Sequence, residues 1–133
     1  MKNTPTGKSA FQNEVYYPKK RTGERIKGFL STYKRMDWLK PAPTRTMSSG
    51  SIGSHHNVHP GRKRKDGTYT DARVLTLLEL FIVSSIPLSI EIDLEKYSEN
   101  FMRHIIGEAV PPLMMKKIIQ KIPEMEVKWK EFH

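Results

Sequence analysis

Few groups in this chain could do chemistry, and they are unevenly placed. There is no cysteine, so a thiolate nucleophile, a disulfide and a Cys-based zinc site are excluded. His55, His56 and His59 lie close together, yet no cysteine or clear acidic partner adjoins them to complete a zinc shell, and no metal is expected. Arg45-Thr46 leads into Met47-Ser48-Ser49-Gly50-Ser51-Ile52-Gly53-Ser54, a run of small residues and hydroxyls. Such residues let backbone N–H groups and side-chain oxygens approach phosphates, and an arginine can hold a phosphate or read guanine. The alternative is a plain Ser/Gly linker. Arg62-Lys63-Arg64-Lys65 suits unspecific phosphate attraction or a solvated loop. Trp38 and Tyr33 could stack on bases, although core packing is the weightier reading.

The charge balance also favours a polyanionic partner. The 133 residues carry a net charge of +9. Residues 1–75 hold 16 basic and 5 acidic side chains, whereas residues 76–133 hold 7 and 9. A one-sided basic surface neutralises phosphates and releases their condensed counterions. A solvated surface kept soluble by charge is the competing reading. The length is that of one domain. Hydrophobic residues make up 37%, so any core must be local. The first eight residues are polar and contain no apolar targeting segment. The longest apolar run, residues 74–83, is interrupted by Thr76 and Glu79 and is too short to span a bilayer. A soluble protein is therefore expected.

The elements that must position these groups fall in two halves. Residues 26–33 offer apolar points at Ile26, Phe29 and Tyr33 and read as a strand. Residues 40–72 are irregular, and Pro41 and Pro43 force extended backbone. From Arg73 the pattern turns helical. Thr76-Leu77-Leu78-Glu79 has the capping-box form, and the apolar helix behind it should be buried and end at Pro87. Ser98 is the next N-cap, and Gly107 fits the stop of that helix. Pro111 and Pro112 open a third helix, with Met114, Met115, Ile118, Ile119 and Ile122 on one face. Residues from 124 onward read as a polar tail.

Two of these segments carry a family resemblance. Arg73-Val74-Leu75-Thr76-Leu77-Leu78-Glu79-Leu80, closing at Ile86-Pro87, resembles the ninth motif of DNA cytosine-5 methyltransferases. Ile106-Gly107-Glu108-Ala109-Val110-Pro111-Pro112-Leu113 resembles the tenth and last. Upstream, Lys40-Pro41-Ala42-Pro43-Thr44-Arg45-Thr46 and Val58-His59-Pro60 resemble the end of the target-recognition region. The resemblance covers roughly residues 28–122. Glu108 stands where asparagine is common, and Ser84-Ser85-Ile86-Pro87 replaces a Gln-x-Phe-Pro ending. The first eight motifs, including the Pro-Cys nucleophile, do not occur in these residues.

The resemblance implies a chemistry to which this chain lends only part. In the family, a cysteine thiolate attacks C6 of a flipped cytosine, and C5 then takes a methyl group from S-adenosylmethionine. Residues 107–110, Gly107, Glu108, Ala109 and Val110, would border that cofactor. Arg45, Thr46, Ser48, Ser49, Gly50 and Ser51 match the recognition loop and, with Arg62 and Lys63, are the expected contacts to double-stranded DNA. Arg73, Thr76 and Glu79 are expected to be structural. No residue is expected to be catalytic.

The implied fold is a mixed α/β fragment of a Rossmann-like methyltransferase: an irregular β-rich lobe, then two or three helices. Residues 1–72 would end the recognition region, residues 73–122 would pack on a catalytic domain, and residues 123–133 would form the tail. The chain would then be the small subunit of a split enzyme, completed by a partner chain carrying motifs I to VIII, or the remnant of a truncated gene. A non-enzymatic basic nucleic-acid-binding protein is the competing class. A cytoplasmic, nucleoid-associated location is expected, with no membrane partner.

Overall fold

The computed structural model describes residues 1–90 and 95–131. Among the described residues, three α-helices occupy the C-terminal half: α1 Leu77–Val83, α2 Glu99–Glu108 and α3 Pro112–Glu131. Before them, among the described residues, the only helical element is a 3-10 turn, Ala10–Gln12.

The β-rich lobe expected from the sequence is not there, and the α/β assignment falls with it. No strand forms among the described residues; pairing is limited to isolated bridges, such as Ser9 with Lys34, Thr32 with His55, and Val58 with Arg35 and Val74. Residues 26–33 make no strand either, and the Phe29 carbonyl accepts from Thr32 N at 2.9 Å in a turn. The physical reason is how buried backbone is satisfied here. Buried carbonyls need donors, and in this half side chains supply many of them in place of ladder partners.

Arg35 is the main example. It is fully buried. Its Nη1 donates to the carbonyls of His59 (2.7 Å) and Asp71 (3.0 Å), and its Nη2 to those of Thr70 (2.9 Å) and Met1 (3.2 Å). One guanidinium thus gathers three separate stretches of coil. Burial lowers its pKa, while Asp71 and Tyr69 oppose that shift. Gly61 packs against it with φ +66°, and a Cβ there would lie 2.5 Å from Arg35 Nη1. Only glycine fits this position.

Each helix has a local explanation. Thr76 caps α1: its hydroxyl accepts from Glu79 N (3.2 Å), and Glu79 Oε2 accepts from Thr76 N (2.8 Å). The helix stops at Val83, before Pro87. Ser85 takes the left-handed conformation, φ +53°, with Ser85 N donating to Ile82 O (3.0 Å) and Ile86 N to Phe81 O (2.9 Å). Those two bonds are the Schellman arrangement, so the stop comes from this turn and not from the proline. Ser98 caps α2 by accepting from Phe101 N at 3.2 Å. Gly107 lies within α2 and not past its end. The polar segment from 124 is helical as far as Glu131; the last two residues of the expected tail lie outside the described residues.

The core is small: Met36, Leu75, Leu80, Phe81 and Ile106, with Leu77, Val83 and Ile86 packed against it. It joins α1 and α2 to the coil. α1 is only half buried, since Leu78 and Ile82 are about 60% exposed. On α3, Leu113, Met114, Met115, Ile118, Ile119 and Ile122 are all exposed. A compact monomer of 15.4 kDa should expose roughly 7,200 Å²; this chain exposes 10010 Å².

Candidate nucleic-acid and cofactor interface

The loop around residues 45–54 is a built structure. Asn57 is buried, and its Nδ2 donates to the carbonyls of Ser48 (3.2 Å) and Ser51 (3.0 Å). Ser51 N donates to Ser48 O (3.3 Å) and Ser54 N to Ser51 O (3.2 Å), making two successive turns. Ser49 is buried within the first, while Ser48, Gly50 and Ser51 are exposed. Arg45 folds back on the loop's own frame. Its Nε donates to Pro43 O (2.8 Å) and its Nη2 to His56 O (3.1 Å), and burial lowers its pKa. Thr46 is half-buried.

α2 holds this loop from the other side. Arg103, itself buried, donates through Nη1 to Ser49 O (3.3 Å) and through Nη2 to Leu75 O (2.8 Å). Glu99, one turn earlier, accepts from Arg103 Nη2 at 2.6 Å and from Nε at 2.9 Å. Gly107 completes the seam. A Cβ there would fall 2.5 Å from Met47 N and from the Thr46 carbonyl carbon. The missing side chain lets the loop backbone lie directly on the helix. The loop at residues 45–54 and α2 therefore pack together at Arg103 and Gly107.

Beyond Gly107 the corner opens outward. Ala109 is extended (φ −70°, ψ 143°), and Glu108, Ala109 and Val110 are exposed. Glu108 lies 3.5 Å from His104 of its own helix. Leu113 N donates to Ser85 Oγ (3.1 Å), tying the start of α3 to the end of α1.

The segment at the foot of α1 forms a charged cluster. Arg73 meets Glu79 with two parallel bonds, 2.7 and 2.9 Å, and reaches Asp71 at 3.3 Å. The Arg73 hydrogen bonds, aided by Thr76 N, hold the Glu79 carboxyl down at about 2. His59 stands beside them with Nε2 3.7 Å from Glu79 and Nδ1 accepting from Gly61 N at 3.0 Å. Burial lowers its pKa, so the ring is neutral near pH 7 and carries its proton on Nε2. Trp38 crosses the His59 ring edge-on and borders an apolar cleft of about 360 Å³ between the coil and α1.

Comparisons with known proteins give the family. The profile of the C-5 cytosine-specific DNA methylase family matches residues 1–124. The chain belongs to the C-5 cytosine-specific DNA methylase family. The Type II methyltransferase M1.HgaI of Avibacterium volantium is 51% identical over 122 residues, which are 92% of this chain and 34% of that protein. The chain thus spans about a third of that relative. The Type II methyltransferase M.AquIB of Picosynechococcus sp. is 30% identical over 112 residues, 78% of this chain and 71% of that protein. No solved structure matches.

Within this methylase family member, several residues that hold the loops together carry no motif. Arg35 and Arg103 hold carbonyls distant in sequence and Asn57 holds those of Ser48 and Ser51, and only the Glu99–Arg103 spacing gives one of them a local signal. Among the described residues no three His, Cys, Asp or Glu side chains are grouped as a metal would require. His55 and His56 stack at 4.7 Å, apart from the His59 cluster. Arg62 and Lys63 are exposed on a turn closed by the Lys63–Tyr69 bridge. No described helix is long and apolar enough to cross a membrane.

Proposed function

We propose that this chain is the DNA-facing C-terminal portion, or small subunit, of a DNA (cytosine-5)-methyltransferase. The catalytic cysteine would come from outside these 133 residues, on a partner chain carrying motifs I to VIII. The observation that carries the reading is the uncovered apolar surface of α1, α2 and α3, joined to a chain with no thiol. Apolar patches of this extent mark a face meant for another body. M.AquIB favours a subunit over a gene remnant, because it is itself a short protein: 112 aligned residues make up 71% of it.

Each candidate has a task in this reading. Ser48, Gly50 and Ser51 present backbone and hydroxyls to the duplex, and Thr46 and Ser49 shape that surface. Arg45 orders the loop through its carbonyl contacts and leaves its charge beside the DNA. Arg62 and Lys63 supply phosphate attraction. Gly107 sets the corner against the loop, and Glu108, Ala109 and Val110 offer an exposed, extended edge. That edge fits a border for S-adenosylmethionine, not a pocket, so the partner would furnish most of the cofactor site. The cofactor would supply the methyl group. The site of action is the cytoplasm, on the nucleoid.

The test is reconstitution. This chain is mixed with a polypeptide bearing the Pro-Cys and Gln-x-Arg-x-Arg motifs, and labelled methyl transfer to duplex DNA is measured. Activity in the mixture alone is the expected result. Transfer by this chain alone, or none in the mixture with a complete partner, would overturn the reading.

A further inference from the structure

The basic turn at residues 18–26 lies outside every site considered above. It is closed by the Lys19–Arg25 bridge, by Lys20 N donating to Glu24 O (2.8 Å) and by Ile26 N donating to Pro18 O (3.0 Å). Gly23, φ +89°, makes its tip. Lys19, Lys20, Arg21, Arg25 and Lys27 are all exposed, and Glu24 is the one acid among residues 18–27, giving the segment a net charge of +4. Glu24 is engaged by Lys20 at 3.0 Å. Among the described residues, neither Lys19 nor Arg21 makes an ion pair.

This turn is mechanically joined to the loop at residues 45–54. Arg25 lies over the Tyr17 ring at 4.8 Å, and Tyr17 donates to Ile26 O at 3.2 Å. Tyr17 meets Phe11 at 5.4 Å, and Phe11 meets Tyr33 at 5.4 Å. Tyr33 in turn packs on Gly53, where a Cβ would lie 3.2 Å from its hydroxyl. Tyr33 is held in the left-handed region, φ 46°, and its carbonyl accepts from Ala10 N at 2.9 Å. Three rings thus link the base of the turn to the recognition-loop candidates.

From this geometry we infer that the turn at residues 18–26 is a second contact to duplex DNA, gripping phosphates beside the stretch that the loop meets. The inference rests on the proposed DNA-facing role and extends its footprint. Lys19, Arg21 and Arg25 are the contacting cations, and the contact is independent of sequence because it reaches only phosphates. The aromatic link fixes the spacing of turn and loop, so both engage one duplex together.

The experiment measures binding of the full chain to a random-sequence duplex across a salt series. The variant Lys19→Gln, Arg21→Gln, Arg25→Gln leaves the Lys20–Glu24 pair intact. Its plot of log K against log salt should be shallower by about 2 to 3, at about 0.9 per phosphate contact. The charge reversal Lys19→Glu, Arg21→Glu spares the Arg25–Tyr17 contact and should weaken binding further, and melting curves confirm that both variants fold. Wild-type slopes in both folded variants overturn the inference, as does loss confined to single-stranded RNA. A wild-type chain that binds no duplex overturns the proposed function itself.

Discussion

Gly107 of α2 and Met47 of the loop at residues 45–54 meet backbone to backbone, with room for no atom between them. Replacing Gly107 with alanine puts a methyl group 2.5 Å from the Met47 nitrogen. Backbone cannot rotate away as a side chain can, so loop and helix must separate. Gly107→Ala should cost about 1–3 kcal/mol, the usual penalty of overpacking. Thermal denaturation checks this, and wild-type stability in the variant would contradict the contact.

Arg103 should be as sensitive for a different reason. Its guanidinium is buried and meets two carbonyls from distant segments as well as Glu99. Arg103→Met leaves those carbonyls without their donor and should cost about 3 kcal/mol. Arg103→Lys keeps the charge but not the fork, so it should recover only part of the loss. Denaturant titration of the three proteins gives the order.

Stability should fall on acidification through two separate windows. Burial, then Lys34, His55 and Arg45, push the His56 pKa down from 6.5 to about 4. The neutral ring is favoured in the folded state, so stability is full above pH 6.5 and declines as pH falls towards 4. Glu79 titrates at about 2 instead of 4.5. Its contribution is complete above pH 4.5 and is lost as pH falls towards 2. His56→Gln should shrink the first window, to which His59 also contributes, and Glu79→Gln should shrink the second. Unfolding midpoints at pH 7, 5 and 3 separate them.

The uncovered helices make a physical prediction for the chain by itself. At tens of micromolar it should self-associate and bind an apolar dye, because Leu113, Ile118 and Ile122 have no cover. Substituting these three with glutamine should reduce both signals. Sedimentation of a purely monomeric wild-type chain would count against the reading.

What the sequence revealed depended on how far apart the partners lie. Ser98 is readable as a cap because the N–H it meets is three residues away. In sequence Gly107 looks like a helix stop because glycine usually has a local reason, whereas here the reason is a loop sixty residues upstream. Arg35 and Asn57 left no pattern at all: their partners are backbone carbonyls, which every residue has. The strand expected near Phe29 failed for the same cause. Side-chain donors had taken over the work of a sheet, and alternation cannot report that. The motif segments were legible as a family signature, but the packing of loop on helix was not.

The bareness of α3 has a cellular consequence. A helix whose apolar side chains from Leu113 to Ile122 stand exposed is what proteases and chaperones recognise in unassembled polypeptides. A binding body that covers it adds to folded stability by mass action, in proportion to the logarithm of its concentration. The lifetime of this polypeptide would then follow the supply of whatever covers α3, and synthesis of one without the other would be corrected by turnover.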